Sequence, residues 1–593
     1  MSISSDRLAG LRAILRDQHL DGFLVPLTDE HMSEYVGAYA RRLEWLTGFS
    51  GSAGSAAVLM EQAAIFVDGR YTIQANAQVD GALYQHCKVP QQPVADWLAE
   101  HAPDGARIGY DPWLTTSAFL KQAAAKLGGG RQLLAVAENP VDRLWTDRPP
   151  PSMAPAEIFP DSFSGQNSAA KRRAIAAALN KVGAGLAVLS ALDSVAWAFN
   201  IRGADIHRTP VVRAFALVRA DAGATLFLDP GKCSPELLAH LGPEVVVRPY
   251  EAFGPALEAL SGGVLVDPQL AVAAIDEALA RGAARRIEGR DPCVALKAAK
   301  NGVELAGMRA AHILDGVAMA TFLHGVDSDP PADELAAAAR LETIRRQSPM
   351  LKDLSFDSIS ALGPNAALPH YHPAEATNRR FADERIYLID SGGQYRQGTT
   401  DITRTVAIAT PTAEMRDRYT RVLKGHIALA TARFPKGTKG GQLDILARQF
   451  LWAAGLDYAH GTGHGVGHYL SVHEGPQRIA TSGGDEPLAA GMVLSNEPGF
   501  YKDGEYGIRI ENLVIVVDDP RAEDEQPMLA FETITMAPID RRLIEPSLLT
   551  AVETAWLDRY HRQVRDALSP GLAGDTLAWL AGATAPLAAP SDG

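Results

Sequence analysis

Cysteine is scarce: Cys87, Cys233 and Cys293 are all that 593 residues contain. Three thiols, odd in number and far apart, make neither a disulfide framework nor a cysteine-based zinc site, and each reads as a small buried hydrophobe. Long apolar runs are missing too. No uncharged stretch approaches the roughly 18 residues that a membrane helix needs. The N-terminus is broken by charge and lacks the apolar core of a signal peptide. Basic excess is absent, for the formal net charge is −14, which argues against a nucleic-acid face. No low-complexity tract or Gly-x-x-x-x-Gly-Lys phosphate loop occurs. The expectation is a cytoplasmic protein with no membrane or nucleic-acid partner.

What is present is an ordinary globular composition, 47% apolar and 21% charged, in a chain too long for a single core. Two breaks divide it. One is the proline-rich stretch Trp145–Pro155, which cannot continue a helix. The other lies near Asp291-Pro-Cys293. The expected segments are 1–150, 151–295 and 296–593. The first two look like diverged copies of one α/β unit. Leu20–Pro26 is a strand pattern followed by Trp45–Gly51, and Ala184–Ser190 is one followed by Trp197–Gly203. Each copy then returns to strands: Ala64–Asp68 in the first, Ala214–Val218 and Thr225–Asp229 in the second. In the third segment, helical patterns at Lys297–Leu323, Asp333–Arg346, Ala413–Arg433, Gly441–Ala454 and Pro546–Ala567 alternate with short strands and glycine-rich stretches. This texture predicts an α+β fold with a curved antiparallel sheet.

Chemistry concentrates in the third segment. Tyr387-Leu-Ile-Asp390 ends an apolar run in a carboxylate. A glycine-rich turn follows, and then Asp401 in a β-branched strand. A hairpin there sets two aspartates on neighbouring strands, and two buried carboxylates repel unless a cation joins them. Further on, His460-Gly-Thr-Gly-His464-Gly-Val-Gly-His468 holds three histidines among glycines that permit close backbone approach. Glu497 follows the apolar run Gly491–Leu494, and Glu511 precedes Leu513–Val517. Asp390, Asp401, His464, Glu497 and Glu511 make a set of four carboxylates and one imidazole. Mostly hard oxygen, it suits manganese, with cobalt or zinc as alternatives. Four negative charges exceed what one divalent ion needs, so two ions are expected.

These motifs, Ile389-Asp390-Ser-Gly, Thr400-Asp401-Ile-Thr-Arg404-Thr, His460–Gly467, Asn496-Glu497-Pro-Gly and Arg509-Ile-Glu511-Asn, resemble the pita-bread fold of the methionine aminopeptidase, prolidase and creatinase superfamily. From about Arg7 to about Leu580, including Arg70 in Asp-Gly-Arg-Tyr, the chain resembles the three-domain cytosolic Xaa-Pro aminopeptidases. The resemblance implies two creatinase-like α/β modules followed by a pita-bread catalytic domain. It implies that Asp390 holds one metal, His464 and Glu497 the other, and that Asp401 and Glu511 bridge them. His370 and His473 match catalytic histidines, and His460 matches one that lines the site. His372, two residues from His370, competes for the first assignment. His370 is preferred because His-Tyr follows Gly363-Pro-Asn at the family spacing. His468 matches no family role.

The expected reaction is hydrolysis of the N-terminal Xaa-Pro bond of peptides by a hydroxide that the two ions activate. Glu497 would shuttle the proton, and His370, His460, Tyr501 and Arg509 would surround the proline ring and the following carbonyl. A homodimer is implied by the resemblance alone. The rival readings are a prolidase-type dipeptidase, which usually has one N-terminal module, and a non-catalytic peptide- or protein-binding module on the same fold.

Overall fold

The computed structural model describes residues 3–521 and 524–587. It divides into two compact units, Met1–Asp161 with Gln166–Leu296, and Ser162–Gly165 with Lys297–Gly593.

The first unit contains two six-stranded sheets. One is built from β1 (Gly22–Pro26), β2 (Ser55–Leu59), β3 (Ala63–Val67), β4 (Gln85–Lys88), β5 (Arg107–Tyr110) and β6 (Gln132–Ala135), in the order β4-β3-β2-β1-β5-β6. The other has β7 (Leu186–Leu189), β8 (Ala214–Arg219), β9 (Ala224–Leu228), β10 (Val245–Arg248), β11 (Ser261–Val266) and β12 (Ala283–Glu288), in the order β10-β9-β8-β7-β11-β12. In both, the three central strands pair antiparallel and the flanking strands add parallel. The same topology therefore occurs twice, and it refines the sequence pairing. Ala64–Asp68 corresponds to β9, and Ala214–Val218 corresponds to β2. The alanine-rich run of β2 carries little of the β-branched signal that marks a strand. Side chains alternate as a pleat requires: Phe23 and Val25 enter one core of the first sheet and Leu24 the other.

In the second unit the expected helix from Lys297 is interrupted. One helix spans Pro292–Ala298 and the next spans Gly302–Ser328. Asn301 caps the second helix, accepting from Val303 N–H at 2.9 Å and Glu304 N–H at 3.1 Å, while Glu304 accepts from Asn301 N–H at 3.0 Å. The last long helix starts at Ala551, where Thr550 and Glu553 form a similar box, and Pro546–Leu548 is a separate 3₁₀ turn.

The expected antiparallel pairing is present, divided among sheets of three, three, six and two strands. β13 (Leu351–Leu354) pairs with the hairpin β16 (Gly393–Tyr395) and β17 (Gly398–Thr399). β14 (Ile359–Leu362), β15 (Ile386–Ser391) and β18 (Ile402–Ala407) form a second sheet. A six-stranded sheet runs β19 (Arg433–Pro435), β26 (Met528–Thr533), β25 (Asn512–Asp518), β22 (Val493–Asn496), β20 (Gly463–Gly465) and β21 (Glu474–Ile479). The hairpin β23 (Gly499–Lys502) and β24 (Tyr506–Arg509) completes the set. In β15, Tyr387 and Ile389 join a core with Phe322 and Phe381. Leu388 points to the opposite face, and Asp390 shares that face by the two-residue strand period.

Candidate active site

Strand pairing builds the site. Asp390 stands opposite Thr403 across β15 and β18. Asp401, two residues before Thr403 and immediately ahead of β18, continues the same face. It therefore lies just outside the strand that was expected to contain it, and β16 and β17 intervene between the two aspartates. The six-stranded sheet of the second unit supplies the rest. Glu497 follows β22 and Glu511 precedes β25, and these strands pair through Asn496 and Asn512. Glu511 N–H donates to Thr403 O at 3.2 Å, joining the two sheets at the cluster. His464 is the middle residue of β20. A Cβ at Gly463 would lie 2.0 Å from Ser495 O, so only glycine lets this strand sit so close to β22.

Among the described residues, Asp401, His464 and Glu511 offer ligand atoms that all lie within 4.8 Å of one another. His464 Nε2 is 3.5 Å from Asp401 and 3.4 Å from Glu497. Its Nδ1–H donates to Gly465 O at 2.9 Å, which fixes the tautomer and leaves the Nε2 lone pair facing the carboxylates. Asp390, Asp401 and Glu511 are 8%, 4% and 1% exposed. His473 lies beside His464, with ring centroids 4.4 Å apart. Tyr501 OH connects His460 Nε2 at 2.8 Å to Arg509 Nη1 at 2.7 Å. Arg509 also donates to Asp390. His370 is half-buried on the loop after the 3₁₀ turn Gly363–Ala367. A Cβ at Gly507 would lie 1.7 Å from Ala366 O, so that turn packs directly on the strand carrying Arg509. His372 is exposed and His468 buried.

The electrostatics are one-sided. Burial pushes the Asp401 carboxyl well up, and the charges of Asp390 and Glu497 add to this against the opposing pull of Arg509 and Arg345. Glu511 is likewise raised well above the ordinary range by burial and by Asp401, Glu497 and Asp390. Burial lifts the Tyr501 hydroxyl to about 12, with Arg509 pulling the other way. One oxygen each of Asp390 and Glu511 is buried without a hydrogen-bond partner. Buried carboxylate oxygens that no donor meets, beside an imidazole lone pair, are the donor set of a metal centre.

Further polar residues, not among the expected site residues, support the cluster. Thr403 receives Arg509 Nε at 3.1 Å and donates to Glu511 at 2.7 Å. Ser495 Oγ donates to Glu497 at 2.9 Å and accepts from His464 N–H at 3.0 Å. His426 bonds to both Asn496 and Asn512. The alternation Asp401, Thr403, Thr405 was a signal for the first. His426 had none, because its partners are set by packing.

These residues make a candidate carboxylate-and-imidazole metal site on an α+β scaffold. Comparison with known proteins makes the class specific. Residues 306–518 match metallopeptidase family M24 and 527–587 match its C-terminal region, while 7–144 and 147–304 each match the creatinase/prolidase N-terminal domain. The chain is 42% identical to the "Probable Xaa-Pro aminopeptidase P" of Aspergillus fumigatus over 98% of its length and 93% of the relative's. It is 43% identical to that of Chaetomium globosum, over 98% and 99%. The crystal structure of X-prolyl aminopeptidase from Caenorhabditis elegans, described as a cytosolic enzyme with a di-nuclear active site, superposes with a TM-score of 0.93. Its sequence is 35% identical, and the match covers 99% of this chain and 100% of that one. The chain belongs to the Xaa-Pro aminopeptidase P family, within metallopeptidase family M24.

Proposed function

We propose that this enzyme removes the first residue from peptides with proline at position two, and that Asp390, Asp401, His464, Glu497 and Glu511 hold two divalent ions, manganese ahead of cobalt or zinc. The observation that carries the reading is the buried carboxylate cluster, in a chain matched end to end by Xaa-Pro aminopeptidase P relatives. Ions bound there would supply Lewis acidity, lowering the pKa of water and balancing charge that develops on the substrate.

The chain's own residues do the rest. Asp390, with one oxygen engaged by Arg509 and the other open toward the metal site, also receives the substrate's free amine and so sets the register at residue one. Glu497, held by Ser495, takes a proton from the attacking water and passes it to the proline nitrogen, which must be protonated to leave. His473 and His370 donate to the oxygen that gains charge in the transition state. His460 and Tyr501 wall the proline ring, and Arg509 behind Tyr501 fixes that wall. The segments 1–150 and 151–295 serve as two creatinase-like modules ahead of the catalytic domain. A cytoplasmic homodimer completes the proposal, and among the described residues no helix is long and apolar enough to cross a membrane.

Substrate choice tests the reading. Proline makes the scissile bond a tertiary amide without an N–H, so the site must recognise a ring. Ala-Pro-Ala is expected to exceed Ala-Ala-Ala by on the order of 10²-fold in kcat/KM. N-acetyl-Ala-Pro-Ala is expected to resist cleavage. Comparable rates on the first two, or ready cleavage of the third, would overturn it. A Pro-containing dipeptide as the sole substrate would favour a prolidase instead.

A further inference from the structure

Glu334 opens the helix Glu334–Arg345 and is 0% exposed. A carboxylate so deeply buried needs strong compensation. No cation is among its hydrogen-bond donors, and all of these come from one stretch of chain. Leu362 N–H and Asn365 Nδ2 donate to Oε1 at 2.6 and 3.0 Å. Asn365 Nδ2, Tyr371 OH and Arg379 N–H approach Oε2 at 3.0, 2.9 and 3.1 Å. The backbone adds straps at both ends. Ser360 Oγ donates to Glu334 O at 2.7 Å, and Glu334 N–H donates to Arg379 O at 3.2 Å.

The stretch so gathered runs from Leu362 to Arg379. Beyond the turn Gly363–Ala367 it contains no helix or strand, so no sheet or helix ladder fixes its path. His370 lies inside it, next to Tyr371, whose hydroxyl bonds Glu334. Asn365 donates to the same carboxylate and to Thr377 O at 2.8 Å, tying the near and far halves of the loop together. Four donors converging on two oxygens suit a carboxylate, which only accepts. An amide would turn its own N–H groups against them.

We propose that Glu334 is the positioning residue for His370: it gathers the loop 362–379 from both ends and so sets where the imidazole stands relative to the carboxylate cluster. The inference rests on the catalytic role given to His370 above. Glu334 itself touches no substrate and acts only through the histidine.

A double-mutant cycle separates this from a purely structural role. Glu334→Gln, His370→Ala and the double variant are assayed on Ala-Pro-Ala, with bound metal measured in each. Glu334→Gln alone is expected to lower kcat by roughly 10- to 100-fold, the scale of a displaced catalytic group, with metal content and KM near wild type. Added to His370→Ala, it is expected to change kcat by less than about twofold, because the group it positions is already gone. Amide exchange in Glu334→Gln is expected to quicken over residues 362–379 and not across the catalytic sheets. If Glu334→Gln folds poorly, Tyr371→Phe removes one donor, keeps the carboxylate, and is expected to show the same coupling at smaller size. Losses that multiply in the double variant, or wild-type kcat in Glu334→Gln, would overturn the positioning role while leaving His370 catalytic. Wild-type kcat in His370→Ala would overturn both.

Discussion

Glu30 in the first unit and the Asp401–Glu511 pair in the second are buried carboxylates with opposite fates. Glu30 receives Arg213 Nε at 2.7 Å and the hydroxyls of Tyr39 and Tyr250 at 3.0 Å each. Burial pushes its carboxyl up, but His31 and Arg213 outweigh that and hold it at about 2. Asp401 and Glu511 are buried more deeply still, yet their nearest charges include Asp390 and Glu497, and both are pushed well up. In one region the chain supplies its own counter-charge and the cluster is complete. In the other most of the counter-charge is left out, which leaves the carboxylates open to a cation from solution. Burial is common to both, so it is the inventory of partners that separates a structural ion pair from a metal centre.

The largest effect that would break this comparison concerns Asp401. Asp401→Ala is expected to abolish turnover and lower bound metal, yet to raise the stability of the metal-stripped protein, because it removes one of several repelling carboxylates. Thermal unfolding with and without chelator, beside elemental analysis, checks both signs. Glu30→Gln is the opposing case. It strands Arg213 and is expected to cost about 3–5 kcal/mol of stability, read by denaturant unfolding, with metal content unchanged. Equal metal loss in both variants would erase the distinction.

The site can be divided more finely by its histidines. His473→Ala is expected to lower kcat by on the order of 10²–10³-fold, as loss of an oxyanion donor does, while metal content stays near wild type. His468→Ala is expected to change little. Loss of metal in both would join His473 to the ligands.

The smallest effect is a slope. His426 is neutral in the native state because burial, then Arg404, depresses its pKa from 6.5 to about 3. Between those values the unfolded chain binds a proton that the native one refuses. Its contribution to stability is therefore present above about pH 6.5 and is lost as pH falls toward 3. His426→Gln is expected to flatten stability against pH in that window by about one proton, measured by urea unfolding across the range.

The five carboxylate and imidazole positions stand out in the sequence because each sits in a short motif, with glycines around His464 and apolar runs leading to Asp390 and Glu497, and the structure brings Asp401, His464 and Glu511 within ligand distance of one another. The two modules were legible as repeated strand patterns, though alanine-rich β2 escaped. The break before Gly302 was missed because helical periodicity runs across it, even though Asn301 and Glu304 formed a readable capping box. Thr403, Ser495 and His426 were not legible as supports of the site. Each looks like an ordinary polar residue on its own element, and each acquires its role from partners that only tertiary packing brings near.

Metal stoichiometry tests the central claim most directly. Protein stripped with chelator, dialysed and titrated with manganese in a calorimeter is expected to bind two ions per chain, to gain thermal stability, and to recover Ala-Pro-Ala cleavage in step with loading. Asp401→Ala is expected to lose that binding, and Glu30→Gln to retain it. A stripped wild-type protein that binds no manganese, cobalt or zinc, or that cleaves Ala-Pro-Ala at full rate without them, would contradict the account.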